Sequence, residues 1–287
     1  MKIATPPPGK HAGQEIKQKT KQATKEAKPW IRPLGRFGYL AKGVVYMLIG
    51  IMAAQTAFGL GGKLTDSKGV FQTIASKPFG SVMLALVAVG LLGYAIWKIA
   101  QGFADTERKG SGLKGWSVRL AFIAAGIAHI GISFSAFGTL MNAADSGNSE
   151  KGWSAMLLAQ PFGQWLVGIA GSIALGFGIY QIYKAIKNKF LEYFEQAAMN
   201  PSSYHWAKRV GKIGITAHGI VFGVIGIFLI RTALHANPDE ARGLDGALVE
   251  IAKQPFGPWM LGAVALGLIA YGIYLLTLAR YRQMNVT

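Results

Sequence analysis

Six runs of apolar residues alternate with polar segments along the chain, at roughly 38–60, 80–103, 118–141, 163–186, 212–234 and 258–279. A helix needs about 20 such residues to cross the hydrocarbon of a bilayer. The pattern therefore predicts six transmembrane helices. Between the first and second runs, the third and fourth, and the fifth and sixth lie shorter semi-apolar stretches, 69–74, 152–157 and 246–251. These predict short helices at a membrane interface, with Phe71 and Trp153 at the headgroup level where aromatic rings concentrate. Each stretch is followed by the same three residues: Pro78-Phe79-Gly80, Pro161-Phe162-Gly163 and Pro255-Phe256-Gly257. Proline suits a helix start, because its missing N–H has no intrahelical partner there. The triplet thus predicts a corner that turns the chain into the bilayer.

The triplets mark an internal repeat. Copies one and two align at a constant offset of 83, which pairs Arg36 with Arg119, Gly43 with Gly126 and Pro78 with Pro161. Copy three aligns with copy one at 176 in its first helix and 177 from the triplet onward. The chain divides into a basic tail, 1–36, expected to be disordered, and three two-helix repeats at 37–104, 117–187 and 210–282. Residues 188–209 form a segment expected at the interface, with Ser202 or Ser203 as the cap of the helix that follows. Two-span repeats enter the membrane in the same sense, so their symmetry axis runs along the membrane normal. The expected fold is all-α, six helices in a pseudo-threefold bundle. Small residues at four-residue spacing (Gly168, Ser172 and Gly176, and Gly219 with Gly223) predict close helix contacts.

Composition supports the membrane reading. Charged residues are 15% of the chain, against about 25% in soluble domains. Glycine is 38 of 287, which favours closely packed bilayer helices. The net charge of +17 raises nucleic acid as a partner. The arrangement of charge argues against it: 21 of the 30 Lys and Arg fall on the side of both termini. By the positive-inside rule that side is cytoplasmic. The tail is then a solvated arm or a polybasic segment on anionic lipid. With no cysteine, disulfides and thiolate chemistry are excluded.

Candidate chemistry is sparse. Lys42 and His218 occupy one repeat position, and Tyr46 and His129 another one turn deeper. Together they make a candidate intramembrane polar cluster, with a proton path as its sharper reading. No Asp or Glu falls within the apolar runs. Lys42, Lys98 and His218 lie near predicted helix ends, where they are expected to snorkel. An aromatic ring stands 19 residues beyond each triplet proline: Trp97, Tyr180 and Tyr274. They read either as an interfacial belt or as a ring around a central constriction. No Walker A loop, HExxH zinc motif or nucleophile elbow is present. No catalytic, cofactor-binding or metal-binding residue is assigned.

Three tandem two-helix units, opening with Arg36-x-Gly38-Tyr39-x-Ala41-Lys42-Gly43 and carrying Pro-Phe-Gly before the second helix, resemble the bacterial membrane family DUF1206. The resemblance spans about residues 30–282. It implies architecture and a bacterial membrane location, and it implies no activity. Copy two departs from the opening motif, with Leu120-Ala121-Phe122 in the Gly-Tyr portion and Ala125 in place of lysine. The sequence thus points to a polytopic protein of a bacterial inner membrane with both termini inside. A non-enzymatic component binding lipid, a protein partner or a second copy is the first functional expectation. A conduit for a small solute, ion or proton along the repeat axis is the second, and an intramembrane enzyme the third.

Overall fold

The computed structural model describes residues 8–107, 110, 112–141 and 155–284, with side chains described from Trp30 onward apart from Lys114. Six long helices carry the fold: α1 (Pro8–Ala57), α3 (Gly80–Ala104), α4 (Leu113–Leu140), α5 (Gly163–Ile186), α6 (Pro201–His235) and α8 (Gly257–Tyr281). Each is long and apolar enough to cross a membrane. Two short helices, α2 (Ser67–Ala75) and α7 (Leu244–Lys253), precede the triplets of repeats one and three. No strand occurs among the described residues.

Several boundaries differ from the sequence expectation. The backbone is helical from Pro8, where a disordered tail was expected. Lys, Glu, Gln and Ala dominate 10–28, all strong helix formers, and the first span supplies the nucleus that they extend. Helix α6 starts at Pro201, capped by the Asn200 side chain, which accepts from Ser203 N–H at 2.7 Å. Asn200 is therefore the cap and the serines are not. The expected interfacial segment is a pair of 3₁₀ turns, Lys189–Tyr193 and Gln196–Ala198, and Phe190, Leu191 and Phe194 are buried. It closes one end of the bundle. Glu195 N–H donates to Tyr281 at 2.8 Å, and Gln283 N–H to Tyr193 at 2.9 Å.

The triplet works differently from a proline helix start. Gly80, Gly163 and Gly257 are the first helical residues, and Phe79, Phe162 and Phe256 are left-handed caps at φ 60°, 64° and 61°. The glycine N–H closes a turn on Lys77, Gln160 or Gln254, at 2.7–2.9 Å. Proline sits at the second position of that turn, where its fixed φ is favoured. Glycine is required after it: a Cβ at Gly257 would overlap the Ala252 carbonyl oxygen, and one at Gly80 the Ile74 oxygen. The three phenylalanine rings are 79–84% exposed at this end of the molecule.

Helices α2 and α7 do not lie flat at the interface. Val70, Phe71 and Ile74 of α2, with Ala247, Leu248 and Ile251 of α7, enter the core with Val45, Ile49, Leu84 and Leu268. Phe71 is fully buried, so it is a plug residue and not a headgroup anchor. Trp153 lies outside the described residues.

Contacts between repeats follow the threefold pattern: α1 packs on α8, α4 on α3 and α6 on α5. The equivalent glycines Gly43, Gly126 and Gly219 lie against the backbones at Gly272, Ala95 and Gly178. Contacts within repeats break the pattern. Helices α1 and α3 pack together, as do α6 and α8, but α4 and α5 do not. Only 17% and 22% of the apolar windows of α4 and α5 are buried, against 39% to 61% in the other spans. The cause is in the sequence. Gly38 and Gly214 lie directly on the backbones of Tyr94 and Tyr271, and Gly90 and Gly267 on the side chains of Ala41 and Ala217. In repeat two the corresponding residues are Ala121 and Ile173. The added methyl group of Ala121 and the branched side chain of Ile173 hold the pair apart. The bundle is therefore an arc of helices, open between α4 and α5. Of the small residues expected at close contacts, Gly219 and Gly223 meet the backbone at Gly178 and Gly168 faces Ala233, while Gly176 faces open space.

Candidate functional site: basic and aromatic residues beside the open repeat

Helices α1, α3, α4, α5, α6 and α8 each send a polar or aromatic side chain toward one cluster in the half of the bundle that carries the termini. Lys42 Nζ donates to Tyr94 Oη at 3.4 Å and lies 4.5 Å from the centroid of that ring. The Tyr46 ring is 5.7 Å away. Lys98 approaches the same Tyr94 ring at 5.5 Å and the Phe122 ring at 4.7 Å. Cation–π attraction, worth about 2 kcal/mol or more when desolvated, helps hold both ammonium groups there. Lys42 and Lys98 are 7% and 9% exposed. They turn into the bundle and do not snorkel.

His218 is held on every side. Gln181 Nε2 donates to its Nδ1 at 3.2 Å, so Nε2–H donates to Tyr46 Oη at 3.2 Å. Its ring stacks on Tyr271 at 4.0 Å. His129 Nδ1–H donates to the Ala125 carbonyl at 2.7 Å, one turn back on α4, and its ring tilts over Tyr94 at 4.6 Å. That carbonyl bond within its own helix leaves Nε2 turned away from the α4 backbone. His129 is half-buried beside the gap, whose α5 side carries exposed Phe177 and Tyr180.

The four residues singled out by repeat position are thus brought together, and Tyr94 joins them. Sequence reasoning missed Tyr94, although its equivalents Phe177 and Tyr271 recur at the repeat offset and both touch His218. It also missed Gln181, the repeat-two counterpart of Lys98. Of the three aromatics at the inner ends, Trp97 and Tyr274 are buried and Tyr180 is half exposed. Tyr274 packs edge-on against Phe190 and Phe194, at 5.7 and 5.9 Å. These two form the packed end of the axis, while Tyr180 faces the gap.

A buried ion pair closes this end. Arg282 Nη2 donates to Glu107 Oε1 at 2.6 Å, and Gln101 Nε2 donates to the same oxygen at 2.7 Å. The Arg282 guanidinium also faces the rings of Tyr193 at 4.6 Å and Tyr39 at 5.2 Å. Arg282 lies just past the last apolar run in the sequence. Its partner is the acid of a loop 175 residues earlier, a distance that local pattern does not reveal. Among the described residues no three His, Asp or Glu side chains converge as a metal ion would require.

The family model described as Domain of Unknown Function (DUF1206) matches residues 37–105, 120–188 and 213–282. This chain belongs to the DUF1206 family. It is 41% identical to the uncharacterized protein YxxB of Bacillus subtilis (strain 168) over 258 residues, 90% of this chain and 94% of the relative. No solved structure matches it. The three family matches coincide with the three helix pairs, so Lys42, His129 and His218 fall at related depths of successive repeats. The DUF1206 chain is a multi-pass protein of membrane type built from tandem repeats, with six membrane-length helices among the described residues.

Proposed function

We propose that this DUF1206 protein is a non-enzymatic, non-conducting membrane component that holds a lipid or lipid-like partner in the open side of its second repeat. The observation that carries the reading is the contrast between axis and side. The axis is filled at one end by Phe71 and Leu248 and at the other by Trp97, Tyr274, Phe190 and Phe194, all at most 3% exposed. A conduit along the repeats needs a hydrated path, and the packing of these rings opposes one. Helices α4 and α5, which do not pack on one another, instead expose Ile127, Phe134, Ile169 and Ile173, apolar surface suited to acyl chains. The basic charge at the end carrying both termini supports a cytoplasmic position for that end in a bacterial cell, by the positive-inside rule.

Reconstitution tests this reading. Proteoliposomes of the full-length protein, screened with protons, alkali ions, chloride and small neutral solutes, are expected to leak no faster than protein-free vesicles. A protein-dependent flux that His129→Ala abolishes would overturn the reading and put a conduit in its place.

A further inference from the structure

The gap between α4 and α5 ends at a concentration of basic side chains. Lys42 and Lys98 share the Tyr94 ring, and Lys184, in the last turn of α5, lies 4.4 Å from the Tyr193 ring. Lys98 is within electrostatic reach of both Lys42 and Lys184. His129 is within reach of Lys42 and Lys98. None of the six spans contains an Asp or Glu. Glu107 is the acid within reach of Lys98, and its Oε1 already accepts from Arg282 and Gln101. In direct contact, Lys42 meets the Tyr94 hydroxyl and the rings of Tyr94 and Tyr46, and Lys98 the rings of Tyr94 and Phe122, with the Arg282–Glu107 pair within electrostatic reach of Lys98. Rings stabilise a cation only partly, and gathering several in a low-dielectric site is unfavourable unless an anion joins them. Basic pockets between spans on the cytoplasmic side suit acidic lipid headgroups.

We propose that Lys42, Lys98 and Lys184 form the receptor for the anionic head of an amphiphile, whose acyl chain lies in the gap between α4 and α5. The head, a phosphodiester or a carboxylate, reaches the cluster past His129 and Tyr180. His129 acts as the wall of the entrance, since its Nδ1–H is committed to Ala125 and its ring to Tyr94. Repeats one and three cannot host such a ligand, because their helix pairs are closed by Gly38 and Gly214. The single opening sets the expected stoichiometry at one per chain. This assignment rests on the lipid-holding reading above and adds the sign of the head and the residues that select it.

Native mass spectrometry of the full chain in neutral detergent tests it, with phosphatidylglycerol, oleate and phosphatidylcholine titrated separately. One bound phosphatidylglycerol or oleate per chain is expected, at least tenfold tighter than phosphatidylcholine. The stronger of the two acids tells a phosphodiester from a carboxylate. Lys42→Gln/Lys98→Gln, and separately Lys184→Gln, should each lower acidic-lipid binding at least tenfold toward the neutral-lipid level. Lys63→Gln/Lys253→Gln, at the opposite end, should leave it unchanged. Melting of each variant in the same detergent checks that it is folded, and Lys184→Gln, on the open helix α5, keeps the test decisive if the double variant unfolds. Equal binding of acidic and neutral lipid, or tight acidic binding in folded Lys→Gln variants, would overturn the charged receptor while leaving the lipid-holding reading intact. Loss of every lipid regardless of charge would overturn both.

Discussion

At the scale of single residues, two glycine positions separate the closed repeats from the open one, where they are Ala121 and Ile173. Gly214 lies against the backbone of Tyr271 with no room for a Cβ. Gly214→Ala forces α6 and α8 apart. Overpacking of this kind costs about 1–3 kcal/mol, more than the ~1 kcal/mol that alanine returns as a helix former. The contact is with backbone, which cannot rotate away, so the clash decides the sign. Unfolding in mixed SDS micelles should therefore occur at a lower SDS fraction for Gly214→Ala. An unchanged midpoint would mean that the pair parts without cost. The signal for the open repeat was legible in the sequence as Ala121 in the Gly-Tyr position of copy two. What could not be read there was that Tyr94, the residue the glycine faces, would also carry both lysines. The rotation of α3 against α1 fixes that, and no periodicity encodes it.

At the scale of elements, the short helix α2 shows how a loop becomes part of the core. Asp66 caps it, accepting from Lys68 and Gly69 N–H at 3.0 and 3.1 Å. Burial of this cap pushes the Asp66 carboxyl above its ordinary range. The Gly69 hydrogen bond opposes that push, and the charge of Asp245 in the first turn of α7 adds to it. The folded state then holds a proton more firmly than the unfolded chain does. Stability from this group is present at low pH and falls as pH rises through the raised carboxyl range. Amide exchange in α2, corrected for intrinsic rates, should show greater protection at pH 4 than at pH 6. Asp66→Asn, which keeps a capping oxygen, should erase the difference. Greater protection at pH 6 in the parent protein would reverse the sign and contradict this account of the cap. The sequence located this helix by its repeat but misplaced its role. A semi-apolar stretch beside a membrane reads as interfacial, whereas Val70, Phe71 and Ile74 form one apolar face that fills the end of the axis. The Pro-Phe-Gly corner was similarly legible as a corner. Its mechanism, a left-handed phenylalanine over a glycine pressed against a carbonyl, belongs to backbone geometry that composition does not display.

For the whole molecule, the three repeats supply three equivalent contacts between neighbours and only two within themselves. The helices form an arc whose ends are tied through the loops: Glu107 after α3 meets Arg282 after α8, and the 3₁₀ segment after α5 pairs with the same tail. Breaking the symmetry in repeat two frees one side of the bundle without opening the axis. That asymmetry underlies both the non-conducting reading and the acidic-lipid receptor. It is most directly tested by disulfide trapping in native membranes, which the absence of cysteine makes clean. Across α5 and α6, a Cβ at Gly168 would stand 3.5 Å from the Ala233 Cβ, within the range of about 3.5–4.5 Å that a disulfide spans. The Gly168→Cys/Ala233→Cys pair should therefore oxidise readily. Ala124→Cys/Ile173→Cys, the repeat-two counterpart of the closed Ala41–Gly90 crossing, should stay reduced under the same oxidant. Equal, rapid disulfide formation at Ala124 and Ile173 would show that the second repeat is closed and would contradict the account.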